Sequence, residues 1–175
     1  MEELIIDKVQ LNDISQLQEI GRQTFYSTFV DTCSAEDMAQ YLEEGFSMEK
    51  LTAELNDQNS EIYFAVLGGN VVGYLKLNFG RSQTELQDNQ AMEIERIYVL
   101  EAFQGQKVGL ALYNMARQTA IKRAMQYIWL GVWENNMKAL NFYQKQGFIK
   151  FDQHIFKVGN DEQIDLLMKL ELHKN

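Results

Sequence analysis

Residues 104–111 read QGQKVGLA, with Gly105 and Gly109 four apart and a Gln and a Lys between them. Val108, Leu112, Met115 and Ala116 then recur on one face of a helix. The first N–H groups of a helix lack internal partners and carry the positive end of its dipole. Two glycines remove side-chain bulk there, so those N–H groups can close on a phosphate, and the layout suits a pyrophosphate. The segment is neither a Walker loop nor a dinucleotide-binding glycine fingerprint. Glu93 and Glu95 alternate with Ile94 in a β-favouring run, which puts both on one face of an ideal strand. Carboxylates on a sheet are costly unless paired or beside a cleft, so they can face a cationic ligand. Their other reading is a pairing with Arg96 or a neighbouring strand, which a bulge would permit by reversing the face of Arg96. Asn136, Ala139, Leu140 and Tyr143 share a face of a later helix. Tyr143 there is either a proton donor or a core aromatic beside Phe142.

These groups need a scaffold, and the sequence supplies a consistent one. A first strand is expected at 4–11 and a helix from Asn12-Asp13 to about Phe29. Ser34 with Asp37 resembles a capping box before MAQYLEEGF, and another helix follows Ser47 over 47–57. EIYFAVLGGNVVGYLKLNF reads as a β-hairpin turning at 68–70. The polar stretch 81–90 is a loop, 91–99 a strand, 125–133 another strand, and the helix after Asn136 stops near Gly147. Two closing strands complete a mixed sheet with helices on its faces, in a single domain over 1–175. Proline is absent from the chain, so every turn falls to Gly, Asn, Asp and Ser.

Composition narrows the function classes. With 175 residues, 46% hydrophobic and 23% charged, the chain suits one globular domain. The lone Cys33 allows no internal disulfide framework, and no signal-peptide pattern opens the chain, so a cytoplasmic location is expected. A net charge of −9 argues against nucleic acid and suits a cationic substrate, although acidity can serve solubility alone. No apolar run reaches membrane-spanning length, so no membrane partner is expected. His154 and His173 are far apart in sequence and no His/Cys cluster has metal-ligand spacing, so no metal is expected.

Gln106-x-x-Gly109-x-Ala111 resembles the Q/R-x-x-G-x-G/A signature of the GNAT N-acetyltransferases, which hold the pyrophosphate of acetyl-CoA. Ile97-Tyr98-Val99 matches the family's strand before that loop. Asn136, Ala139, Phe142, Tyr143, Gly147 and Phe148 fill its N-x-x-A-x-x-F-Y-x-x-x-G-F pattern. The resemblance implies a GNAT fold with a mostly antiparallel central sheet and acetyl-CoA as co-substrate. It implies a donor site from Ile97, Tyr98, Val99, Gln104, Gly105, Gln106, Lys107, Val108, Gly109, Leu110, Ala111, Asn136, Ala139 and Tyr143. Val99 would offer its N–H to the thioester carbonyl between splayed strands. Tyr143, with a pKa near about 10, would protonate a thiolate of about 8.5. Of Glu93 and Glu95, one would take the proton of the acceptor amine through water and the other would bind its charge. Tyr26, Phe29 and Tyr41 sit where the family builds its acceptor lid, and Trp133 and His154 can line the acceptor pocket.

EIERIYV, IWLGVWE, VGNDEQIDLLM and TFYSTF followed by MAQYLEEGF resemble the PaiA-type spermidine/spermine N-acetyltransferases. That implies a polyamine acceptor. The alternatives are another amine (a protein N-terminus, an aminoglycoside, an amino acid) or a CoA-binding module without catalysis. A homodimer is possible, as GNAT proteins are often dimers.

Overall fold

The computed structural model describes residues 3–172, so His173 and the chain ends lie outside the described residues. Seven strands form one sheet: β1 (Leu4–Lys8), β2 (Ser60–Leu67), β3 (Asn70–Phe79), β4 (Ala91–Val99), β5 (Tyr127–Trp133), β6 (Ile149–Val158) and β7 (Asp161–Glu171). Their spatial order is β1-β2-β3-β4-β5-β7-β6. Neighbours run antiparallel except β4 and β5, which are parallel. Helices α1 (Ile14–Phe29), α2 (Ala35–Gly45) and α3 (Met48–Asn56) precede β2, α4 (Val108–Lys122) joins β4 to β5, and α5 (Met137–Lys145) joins β5 to β6. Among the described residues no helix is long and apolar enough to cross a membrane.

Two cores flank the sheet. Val108, Leu112, Tyr113 and Ala116 of α4, with Leu140 and Tyr143 of α5, pack on Leu75, Leu77, Ile94 and Leu130. On the other core, Leu17, Ile20, Phe25 and Phe29 of α1 meet Met38 of α2, Leu51 of α3, Phe64 and Tyr74. The helix face of each element therefore follows the apolar spacing in the sequence.

Local chemistry sets the ends. Ser34 accepts from the Asp37 N–H and Ser47 from the Lys50 N–H, each capping its helix. Asp13 caps differently from the expectation: its carboxylate reaches back to the Gln10 N–H at 2.9 Å and closes a 3-10 turn over 11–13, and α1 starts only at Ile14.

The feature that makes a site is the parting of β4 from β5. Their ladder pairs Ala91 with Tyr127 through Ile94 with Leu130 and then stops, although β4 runs on to Val99 and β5 to Trp133. The Leu100 N–H donates to the Val72 carbonyl on the β3 side. Alternate N–H groups of an extended strand point to opposite edges, so Val99 directs its N–H toward the gap.

Candidate active site

Two hollows meet at this gap. The larger, about 890 Å³, runs from the start of α4 to the start of α5. Ile97, Tyr98, Val99, Gln104, Gly105, Lys107, Gly109, Leu110, Asn136, Ala139 and Tyr143 all line it, so most of the predicted donor-site residues converge. Gln106, Val108 and Ala111 do not form its wall. Gln106 folds back onto the Ala102 carbonyl, and Val108 is buried in the core.

The turn before α4 is built for close backbone approach. Gly105 has φ +79° and Lys107, the residue before the helix, is also left-handed at φ +65°. A Cβ on Gly109 would meet only Val99 Cγ2, at 3.8 Å, and one on Gly105 would meet nothing within 4 Å. The missing side chains therefore leave space rather than relieve packing, as a cradle for a phosphate requires. Lys107 and Lys138 line the same groove, and Lys138 donates to Gln104, which itself bonds the Val99 carbonyl. This end favours an anion.

The second hollow, about 300 Å³, lies on the α1 side of the sheet. Phe25, Phe29, Tyr41, Phe46, Trp133 and Phe156 wall it. Tyr41 stacks on Phe25 at 4.1 Å, and Phe29 packs 5.5 Å from Trp133. Trp133 donates its indole N–H to Gln163, so it is both packed and part of the wall. The polar lining contains four carboxylates, Glu85, Glu93, Glu95 and Asp165, against Lys50 and Arg96. Gly131, midway along β5, forms part of the lining without a side chain. Tyr26 is placed elsewhere: it is half-exposed on the outer side of α1 beside Arg22 and Leu42, and does not line this cavity.

The two carboxylates of β4 differ. A bulge pairs Leu77 with Ile94 and Lys76 with Arg96, leaving Glu95 as the extra residue. Arg96 thereby joins the face of Glu95. Lys76 Nζ lies 2.6 Å from Glu95 and 3.1 Å from Glu54, which also takes a two-point bond from Arg96 at 2.9 and 3.0 Å. Burial pushes the Glu95 carboxyl up, but Arg96 and Lys76 outweigh it and hold its pKa at about 2. Glu95 is thus a fixed anion and a very weak base, and its ion pairing is the one that a bulge permits.

Glu93 is 3% exposed and has no cationic partner among the described residues. Thr84 donates its N–H and hydroxyl, and Asn78 donates 3.0 Å from Glu93 and 2.7 Å from Glu95. Burial raises its pKa above the ordinary carboxylate value, and the Thr84 and Asn78 bonds offset only part of that. This is the profile of a proton acceptor. His154 lies between two carboxylates: Nδ1 is 2.7 Å from Glu85 but out of line for a hydrogen bond, and Nε2 is 3.7 Å from Asp165. Burial also raises the Asp165 carboxyl, with His154 opposing and Glu85 adding to the shift.

Ile97, Tyr98, Trp133, Asn136, Ala139 and Tyr143 line both hollows. Asn136 caps α5 by accepting from the Ala139 N–H at 3.1 Å, so the cap sits at the junction. Tyr143 is 6% exposed and lies where the two hollows meet. Burial, then Tyr113, raises its pKa, so it stays a neutral donor.

Sequence reasoning missed Thr84, Glu85 and Asp165. The first two lie in a stretch read only as a loop. Asp165 had one signal, a lone acid in the apolar run IDLLM.

Residues 21–148 match the Acetyltransferase (GNAT) family. An uncharacterized N-acetyltransferase of Lactobacillus delbrueckii subsp. lactis is 39% identical over 167 residues, 95% of this chain and 96% of that one. A spermidine N(1)-acetyltransferase of Thermoplasma acidophilum is 25% identical over 168 residues, 94% of each chain. The crystal structure of the PaiA N-acetyltransferase of T. acidophilum in complex with coenzyme A superposes with a TM-score of 0.80 over 97% of this chain and 99% of that one, at 21% identity. The parted parallel strands, the glycine-bearing helix start and these matches have one reading: the chain belongs to the GNAT acetyltransferase family and is an N-acetyltransferase.

Proposed function

We propose that the chain transfers the acetyl group of acetyl-CoA directly to a primary amine of a polyamine such as spermidine or spermine. The observation that carries this reading is the opposite charge of two hollows that share one junction. The groove offers Lys107, Lys138 and a helix start to an anion, while the smaller cavity offers four carboxylates and aromatic walls to a cation. The resemblance to a spermidine N(1)-acetyltransferase supports the same acceptor.

Acetyl-CoA supplies an activated acyl group and a thiol leaving group. The start of α4 holds its pyrophosphate against Gly105 and Gly109. The Val99 N–H polarises the acyl carbonyl in the gap between β4 and β5. Glu93 takes the proton of the acceptor ammonium, which must be neutral to attack. Tyr143 returns a proton to the departing sulfur. Glu85 and Asp165 hold a second ammonium of the acceptor, and Glu95 contributes fixed negative charge.

Thiol release from acetyl-CoA tests the reading, with spermine, spermidine, putrescine, butylamine, an aminoglycoside and a short peptide in parallel. Polyamines are expected to turn over fastest. Turnover confined to the peptide or the aminoglycoside overturns the acceptor assignment and keeps the family chemistry. Acetyl-CoA binding without thiol release on any amine would favour a non-catalytic module.

A further inference from the structure

The connection between β3 and β4 places two consecutive residues, Thr84 and Glu85, in the wall of the acceptor cavity, and Gln83 before them ties the loop to the sheet. Gln83 is the anchor. It is 2% exposed, donates to the Gly80 and Asp88 carbonyls at 3.1 and 2.8 Å, and accepts the Trp129 indole N–H at 2.7 Å. Trp129 is the β5 partner of Glu93 in the parallel ladder, so the loop is fastened beside the carboxylate it serves. Asp88 adds a second tie, accepting from the Tyr127 hydroxyl at 2.9 Å. Thr84 follows Gln83 and gives Glu93 two of its three hydrogen bonds.

The bonds are divided unequally between the two carboxylate oxygens. Oε2 accepts from the Thr84 N–H at 2.8 Å and from Asn78 at 3.0 Å. Oε1 accepts only from the Thr84 hydroxyl. An ionised carboxylate has about two lone pairs per oxygen, so Oε1 keeps one free. We propose that Thr84 is a positioning residue for catalysis, its hydroxyl and N–H holding Glu93 ionised and leaving the spare lone pair of Oε1 to take the acceptor proton. The proton and both electrons of the new O–H bond are accounted for: the ammonium gives up the proton and keeps its N–H pair, and Oε1 supplies the bonding pair.

Removing the hydroxyl takes away a donor that favours the charged form, so the Glu93 carboxyl must become harder to ionise. The other charged or titratable groups lining the cavity are Glu85, Glu95, Asp165, Arg96, Lys50, His154, Tyr41, Tyr98 and Tyr143, and a change at Thr84 leaves each of these residues in place. The inference rests on reading Glu93 as the base, and its test separates the two. In the full chain labelled with carboxyl-13C glutamate, the Glu93 signal is assigned by its loss in Glu93→Gln and its titration midpoint is followed by NMR. Thr84→Val is expected to raise that midpoint by about one unit, and Thr84→Ser to restore it. Thr84→Ala serves the same purpose if the valine disturbs the loop. An unchanged midpoint in a folded variant overturns the positioning role. The acid limb of kcat/KM then decides the base itself: it is expected to move with the midpoint, and a stationary limb overturns Glu93 as base while the titration still reports on Thr84.

Discussion

Lys76 Nζ lies 2.6 Å from Glu95 Oε2, and that contact separates two acids two residues apart on one strand. Glu95 is the bulged residue, opposed to the same stretch of β3 as Arg96, and it closes a ring of charges with Lys76, Arg96 and Glu54. Glu93 lies before the bulge, in the ladder with β5, and has only neutral donors around its carboxylate. One bulge therefore gives the sequence Glu-Ile-Glu one ion-paired carboxylate and one held only by neutral donors.

Neutralising Glu95 should cost stability more than chemistry. Its pKa of about 2 lies below the ordinary 4.5, so its contribution is complete above pH 4.5 and disappears as the pH falls toward 2. A shift of that size is worth about 3 kcal/mol. Glu93 and Asp165 act in the opposite sense: their raised values make their ionisation a cost at neutral pH, relieved as the pH falls through those values. Glu95→Gln is expected to lose about 3 kcal/mol at pH 7, because it leaves Lys76 and Arg96 with one carboxylate between them. Urea unfolding from pH 7 to pH 3 checks this. The wild-type loss of stability below pH 4.5 should be blunted in the variant, and parallel curves would contradict the linkage.

Tyr143→Phe should separate binding from turnover. The ring packs 5.5 Å from Phe148 and 5.3 Å from Phe142, and phenylalanine keeps both contacts. Only the hydroxyl at the junction of the two hollows is lost. Acetyl-CoA affinity by calorimetry is expected to stay within a factor of two or so, while kcat falls about 100-fold. Because burial holds the phenol neutral, Tyr143 should contribute no limb to the rate profile through pH 10. Weaker donor binding with unchanged kcat would return Tyr143 to the role of a core aromatic.

The legible parts of this site are those encoded by local spacing. Asn136, Ala139 and Tyr143 recur with the helix, so their meeting on α5 follows from sequence, as does the glycine-bearing start of α4. Glu95 was not assignable, because the bulge that turns Arg96 onto its face depends on pairing with Lys76, twenty residues earlier. Asp165 and His154 face each other across the β6–β7 hairpin, a local pairing, but Asp165 reaches Trp133 and Gly131 only because β7 inserts between β5 and β6, an order that sequence adjacency does not dictate. Tyr26 failed for a simpler reason. Phe25 and Phe29 are one turn apart and take the inner face of α1, and the residue next to Phe25 is rotated about 100° away from it.

Gly109 offers a test in which stability and binding move in opposite directions. It is the second residue of α4, and a Cβ there would only touch Val99 at an ordinary distance. Alanine should leave the fold intact or stabilise it by about 0.5 kcal/mol, and aspartate should also be tolerated, since a negative charge in the first turn suits the helix dipole. The same aspartate would face the pyrophosphate. Gly109→Asp is therefore expected to raise Tm slightly and weaken acetyl-CoA binding at least 100-fold. A variant that binds as wild type would remove this turn from the donor site.

Gly131 and Asp165 test the acceptor cavity from the other side. A Cβ on Gly131 would stand 3.3 Å from Asp165 Oδ2, close enough to push that carboxylate and fill the lining left open in the middle of β5. Gly131→Ala should therefore raise KM for spermidine about tenfold and leave acetyl-CoA affinity unchanged. Asp165→Asn removes charge without adding bulk. If this end of the cavity holds a second ammonium, the loss should fall on putrescine and spare butylamine, which has the same carbon chain and one amine. A buried ion contact of this kind is worth about 2 kcal/mol, or roughly thirtyfold in kcat/KM. Equal losses on the two amines would mean that Asp165 shapes the cavity through His154 and does not read the charge of the acceptor.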